Sequence, residues 1–152
     1  MAADYSQRMT CELCDDVAKT GQLVFEDDST IVVLHNDWSV RGHTMIVAKR
    51  HVENPSDLYE DEWLRFALVW QRTERVLLEL TNADRVIAFK LGLKTPHLHM
   101  HLYPVSERAT RDEVFAIINM QTRVPRDEAF VLDTTRRLNE HSFANGPNRD
   151  RP

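Results

Sequence analysis

The sequence predicts an α+β domain whose sheet is mostly antiparallel, and three observations predict it. β-Branched and apolar runs at residues 22–26, 30–34 and 43–48 follow one another across short polar connections. A single long stretch, residues 57–80, then carries its apolar residues at helical spacing. Two more β-rich runs, 85–91 and 95–104, follow it, and helical patterns return only after residue 110. Strands clustered on both sides of one long helix argue for an α+β layer and against alternating βαβ units.

Taken in order, Cys14 to Lys19 reads as a short helix stopped by Gly21. Asp27-Asp28-Ser29 reads as the turn of a hairpin between the first two strands. His35 to Gly42 is a polar connection, and His43 to Ala48 is the third strand, followed by the basic segment Lys49-Arg50-His51. Asp57 with Glu60 has capping-box spacing for the long helix, and Trp63, Phe66, Ala67, Trp70 and Leu77 form its core stripe. Arg85 to Leu91 and the strand after it read as a hairpin at the centre of the sheet. Thr110-x-x-Glu113 caps a helix from Arg111 to about Gln121, and Pro125 opens a last helix reaching about Asn139. At 152 residues, without repeats or linkers, the chain is read as one domain over residues 11–141, with an N-terminal arm at 1–10 and a flexible tail at 142–152.

Composition excludes little: hydrophobic residues make up 42% and charged residues 28%. The formal charge of −5 argues against a protein that holds nucleic acid by its phosphates. No apolar run is long enough to span a membrane, and Met1 to Thr10 lacks the apolar region of a signal peptide. The expectation is therefore a cytoplasmic protein with no nucleic-acid and no membrane partner.

The chemistry concentrates in Pro96-His97-Leu98-His99-Met100-His101-Leu102-Tyr103-Pro104. On a strand, residues two apart share a face, so His97, His99 and His101 point one way and Leu98, Met100 and Leu102 the other. Near the start, Cys11 and Cys14 form a lone Cys-x-x-Cys, open to reading as half of a zinc site, a redox pair or two incidental small residues.

Together, Cys11-x-x-Cys14, Arg41-Gly42-His43, Lys49-Arg50-His51 and the His-x-His-x-His run resemble the HIT (histidine triad) family over about Cys11 to Pro104, with His43 lying 56 residues before His99. The resemblance implies a five-stranded antiparallel sheet with one long and several short flanking helices, often in a homodimer that continues the sheet. It also implies a nucleotide-binding phosphohydrolase or nucleotidyl transferase. His99 would attack a nucleotide α-phosphate to give a nucleotidyl-histidine, with His101 and His43 contacting the phosphate or leaving group. The substrate would be a dinucleoside polyphosphate or a nucleoside conjugate.

In the Cys-x-x-Cys branch of the family, the resemblance further implies a structural zinc site from Cys11, Cys14, His51 and His97, a closed set of two thiolates and two imidazoles. Alternatives remain: a zinc-dependent hydrolase that uses the triplet as ligands, or a domain that binds nucleotide or a protein without turnover. The chain departs from the family pattern at two places. His35 stands where many members carry an aspartate that grips the ribose hydroxyls, with Asp37 nearby as a possible substitute. Gly92-Leu93-Lys94-Thr95 stands where a phosphate-binding Gly-Gln and a small hydroxyl residue are common. His35, Lys94, Thr95 and His101 are thus the candidate substrate contacts.

Overall fold

The structure, a computed structural model, describes residues 11–140, so the expected arm and tail lie outside the described residues. A one-turn helix α1 (Glu12–Asp15) and a 3-10 turn (Val17–Lys19) lead into β1 (Gly21–Glu26), β2 (Thr30–His35) and β3 (Thr44–Ala48). The long helix α2 (Glu60–Thr81) is followed by β4 (Arg85–Phe89), β5 (His99–Val105), α3 (Arg111–Ile118) and α4 (Glu128–Asn139). The strands form one five-stranded sheet in the order β1-β2-β3-β5-β4, antiparallel throughout.

The expected hairpin is therefore displaced from the centre. β5 lies between β3 and β4, and β4 is an edge strand, as β1 is at the other side. All five residues of β3 are buried, whereas Arg85 and Ala88 of β4 are exposed. Pro104 lies inside β5 rather than at its end, opposite Val86. The pairing of β3 with β5 stops at Leu102, so the missing N–H of Pro104 falls where β5 has one neighbour only.

The two faces of the sheet have different fates. Val32, Leu34, Ile46, Met100 and Leu102 join Phe66, Val69 and Leu77 of α2 and Phe130, Val131 and Leu138 of α4 in the main core. On the other face, Val33, Met45 and Val47 form a smaller cluster with Cys11 and Leu13. A bulge at Val24 turns both Val24 and Phe25 inward, and its carbonyl is taken by the Asn139 side-chain amide at 2.8 Å.

Several boundaries differ from expectation. Asp57 accepts from the Asn54 N–H and closes a short 3-10 turn, while Glu62 accepts from the Tyr59 N–H and holds the first turn of α2. Trp63 of the expected core stripe is 36% exposed. The buried tryptophan is Trp38, in the segment read as a polar connection, where it packs edge-on against Phe130 at 5.5 Å. Pro125 does not open the last helix: Asp127 is its N-cap, accepting from the Phe130 N–H, and Val124 pairs with Trp38.

Candidate functional site

Three joints of the fold bring the candidate residues together. The Cys11 carbonyl accepts from the N–H groups of Cys14 and Asp15, so one helical turn sets the two sulfurs side by side. Gly42, at φ 84°, turns the chain into β3 and places His43; a Cβ there would lie 3.0 Å from Phe130 and 3.2 Å from Thr81. His97 precedes β5 instead of belonging to it. Leu98 bonds through its N–H to the Val52 carbonyl and through its carbonyl to the Ala48 N–H, which ties the triplet to the end of β3.

At one end of the histidine face, Cys11, Cys14, His51 and His97 place their donor atoms within 4.8 Å of one another. The His97 Nδ1 lies 3.4 Å from the Cys11 sulfur, 3.3 Å from the Cys14 sulfur and 3.2 Å from the His51 Nδ1. Zinc bonds of about 2.3 Å to sulfur and about 2.0 Å to nitrogen imply tetrahedral edges of roughly 3.3 to 3.8 Å, close to these separations. His97 Nε2–H donates to the Ala48 carbonyl at 2.5 Å, which leaves Nδ1 with its lone pair toward the cluster. Burial lowers the pKa of His97 and favours the neutral form a metal requires. The four residues fit a metal ion.

Further along the same face, His99 Nδ1–H donates to the His97 carbonyl at 2.6 Å, so its Nε2 carries the lone pair. His99 is 9% exposed, and its ring meets that of His101 edge-on at 5.3 Å. His101 Nδ1 is 2.9 Å from His43 Nε2. His43 lies between the rings of His35 and Tyr103, each at 4.5 Å, and is almost parallel to His35. Burial, then the neighbouring imidazoles His35 and His101, push His43 down to about 2. Burial, then His99 and His35, push His101 down to about 3. Burial also lowers His35. All three are neutral imidazoles at neutral pH.

His35, His43, His101 and Tyr103 floor a cleft of about 270 Å³. Phe89 and Leu91 wall it on the edge-strand side, and Phe115, Ile118, Asn119 and Met120 at the end of α3 cover it. Neither Lys94 nor Thr95 lines this cleft: Lys94 is exposed, and the Thr95 carbonyl accepts from the His97 N–H. Asp37 does not line the cleft either: its carboxylate pairs with Arg123 at 3.3 Å and its carbonyl accepts from His35 Nδ1–H. Tyr103 was available from parity, being two residues beyond His101. Phe115 was legible only as part of the apolar pattern of a helix expected to reach about Gln121, whereas α3 ends at Ile118 and Met120, at φ 57°, lies beyond it.

A profile of the HIT domain matches residues 17–108. The chain belongs to the HIT domain family. An uncharacterized HIT-like protein of Methanocaldococcus jannaschii is 29% identical over 91 residues, covering 55% of this chain and 67% of the relative. Among solved structures, a histidine triad protein of Bradyrhizobium japonicum superposes with a TM-score of 0.68 at 18% identity, covering 87% of this chain and 98% of its own. A Zn-bound histidine triad family protein of Mycobacterium smegmatis gives a TM-score of 0.64 at 20% identity, covering 86% and 94%. HIT membership supports a nucleotide-binding hydrolase or transferase in general terms, and the five-stranded antiparallel sheet is that of the HIT neighbours. Among the described residues, no helix is long and apolar enough to cross a membrane.

Proposed function

We propose that this HIT protein is a nucleotidyl hydrolase or transferase in which His99 Nε2 attacks the α-phosphorus of a nucleotide conjugate or dinucleoside polyphosphate. The observation that carries this reading is the 2.6 Å bond from His99 Nδ1–H to the His97 carbonyl, which fixes the nucleophilic tautomer and supports the positive charge that develops on attack. As the new P–N bond forms, the bond to the leaving group breaks and that group takes up a proton from solvent. Water then attacks the same phosphorus, gives a proton back to solvent as the P–N bond breaks, releases the nucleotide and returns neutral His99.

The hydrogen-bond donor to the reacting phosphate is assigned from the hydrogen bonds. His43 Nδ1 is buried without a hydrogen-bond partner among the described residues, and a bare acceptor is better tolerated in a protein interior than a bare N–H. His43 therefore donates through Nε2 to His101 Nδ1, and His101 presents Nε2–H to the phosphate and leaving group. Zinc is the metal proposed for Cys11, Cys14, His51 and His97, where it would fasten α1 to the strand that aims His99. Four protein ligands leave no position for a reacting water, which disfavours a zinc-dependent hydrolase. The edge strand β4 is the surface on which a homodimer would extend the sheet, and the cytoplasm is the proposed compartment.

The test is to incubate wild type and His99→Ala with adenylyl and guanylyl conjugates, quench in mild alkali and weigh the intact chain. A nucleotide-sized adduct in wild type alone is expected. Absence of adduct and of turnover with every conjugate would leave a binding domain in its place.

A further inference from the structure

Two rings on the histidine face take part in no step of the proposed reaction, those of His35 and Tyr103. They bracket His43. The His35 ring lies 4.5 Å from it and within 10° of parallel, and the Tyr103 ring lies 4.5 Å from it at 33°. Tyr103 also lies beside His101, at 5.8 Å and within 8° of parallel, while His99 meets His101 edge-on at 5.3 Å. His43 is fully buried and Tyr103 is 3% exposed, so the bracket is closed away from solvent.

The plane of an imidazole is set by its χ2 torsion, whose minima are broad. Rotamer preference alone therefore does not fix where the in-plane lone pair of His101 Nδ1 points. The 2.9 Å bond from His43 Nε2–H needs that direction held on both rings. We propose that His35 and Tyr103 are positioning residues that fix the ring planes of His43 and His101, so that His101 keeps its proton on Nε2 and aims it at the reacting phosphate. The inference rests on the reading of His101 as the hydrogen-bond donor to that phosphate and adds how the donor is held.

The two plates are themselves uncharged and anchored. Burial pushes the Tyr103 phenol up to about 12, and among the described residues its hydroxyl has no hydrogen-bond partner, so Tyr103 acts through its flat ring. His35 donates Nδ1–H to the Asp37 carbonyl at 2.8 Å, and the Asp37 carboxylate pairs with Arg123 at 3.3 Å, which ties the outer plate to its own loop. Charge at position 35 matters as well. A carboxylate there would draw a second proton onto His43 and place it on the buried Nδ1, which has no acceptor among the described residues. Burial lowers His35, and the neutral imidazole leaves His43 with one N–H, the one that goes to His101.

The experiment reads the ring nitrogens of His101 by NMR in the full-length chain carrying isotope-labelled histidine, in wild type, Tyr103→Phe, Tyr103→Leu and His35→Leu. Wild type and Tyr103→Phe should show one neutral tautomer of His101, protonated at Nε2. Tyr103→Leu should show a mixture of tautomers. His35→Leu should do the same, and because His35 is half-buried this change empties no core. With the adenylyl and guanylyl conjugates, both leucine variants should slow adduct formation at least about tenfold, the scale of a misplaced reacting group, and Tyr103→Phe should stay within about twofold of wild type. Wild type found with the His101 proton on Nδ1 overturns the inference. So does a single tautomer kept in every leucine variant that folds, or a Tyr103→Phe that loses tautomer or rate, since the hydroxyl would then be the acting group. One leucine variant alone keeping the tautomer strikes that residue from the pair. Mixed tautomers in the leucine variants of a protein whose wild type forms no adduct leave the positioning in place and overturn nucleotidyl transfer.

Discussion

His97 gives its side chain to one cluster and its main chain to another. Its imidazole faces Cys11, Cys14 and His51, and its carbonyl, two residues before His99, accepts the Nδ1–H of that histidine at 2.6 Å. The proposed metal and the proposed nucleophile are thus joined through one residue, and disturbing the first should disturb the second.

His97→Ala should bring bound zinc from about one ion per chain to less than about a fifth. It should also lower the thermal midpoint, since a structural zinc contributes to folding. Adduct formation at His99 should slow at least about tenfold, the scale on which outer groups of a metal site act. Metal analysis beside intact-mass kinetics checks both, and unchanged zinc content would remove His97 from the ligand set.

Acidification should destabilise the protein through His43 and His101, held down to about 2 and about 3 against about 6.5 in an unfolded chain. Below pH 6.5 the unfolded chain binds protons that the folded chain refuses. The stabilising contribution is therefore complete above that pH and lost as pH falls toward the depressed values, at up to about 1.4 kcal/mol per pH unit for each group. Urea unfolding between pH 6 and 4 should show a steep slope for wild type and a shallower one for His43→Gln; identical slopes would remove His43 from this account. Any loss of metal in acid acts on both proteins and cancels in the comparison.

Without a carboxylate in the cleft among the described residues, the ribose hydroxyls lack a bidentate acceptor. Conjugates of adenosine and of 2′-deoxyadenosine should therefore be turned over with kcat/KM values within about threefold. His35→Asp should open a preference for the ribose form of about tenfold, near the value of a hydrogen bond to a charged group. A strong ribose preference in wild type would show that another residue performs this recognition.

Gly42→Ala places a Cβ 3.0 Å from Phe130 at φ 84°, a conformation costly for any residue with a side chain. A loss of about 1 to 3 kcal/mol is expected in urea unfolding. Adduct formation should fall as well, because His43 follows at once.

The histidine face and the cysteine pair were legible because both obey fixed spacings: parity along a strand for His97, His99 and His101, one helical turn for Cys11 and Cys14. Strand order was not legible, since β4 and β5 read alike from alternation, and the choice of a central partner depends on β3, far away in sequence. Capping went astray at Asp57 and Pro125 because each matches a helix start locally, while Glu62 and Asp127 supply the bonds actually made at the two helix starts. Trp38 was hidden in a polar segment; its burial comes from Phe130, 92 residues later. Lys94 and Thr95 were read from the family's phosphate loop, and the structure leaves both outside the cleft.

The match to the HIT domain ends at residue 108, yet Phe130 lies against the position of a Cβ on Gly42, and Asn139 holds the carbonyl of the β1 bulge. The segment recognised by likeness and the segment packed into the main core are therefore different lengths of chain. A chain cut after residue 108 would lose the Phe130 contact behind Gly42 and His43 while keeping the cysteine pair and the histidine triplet.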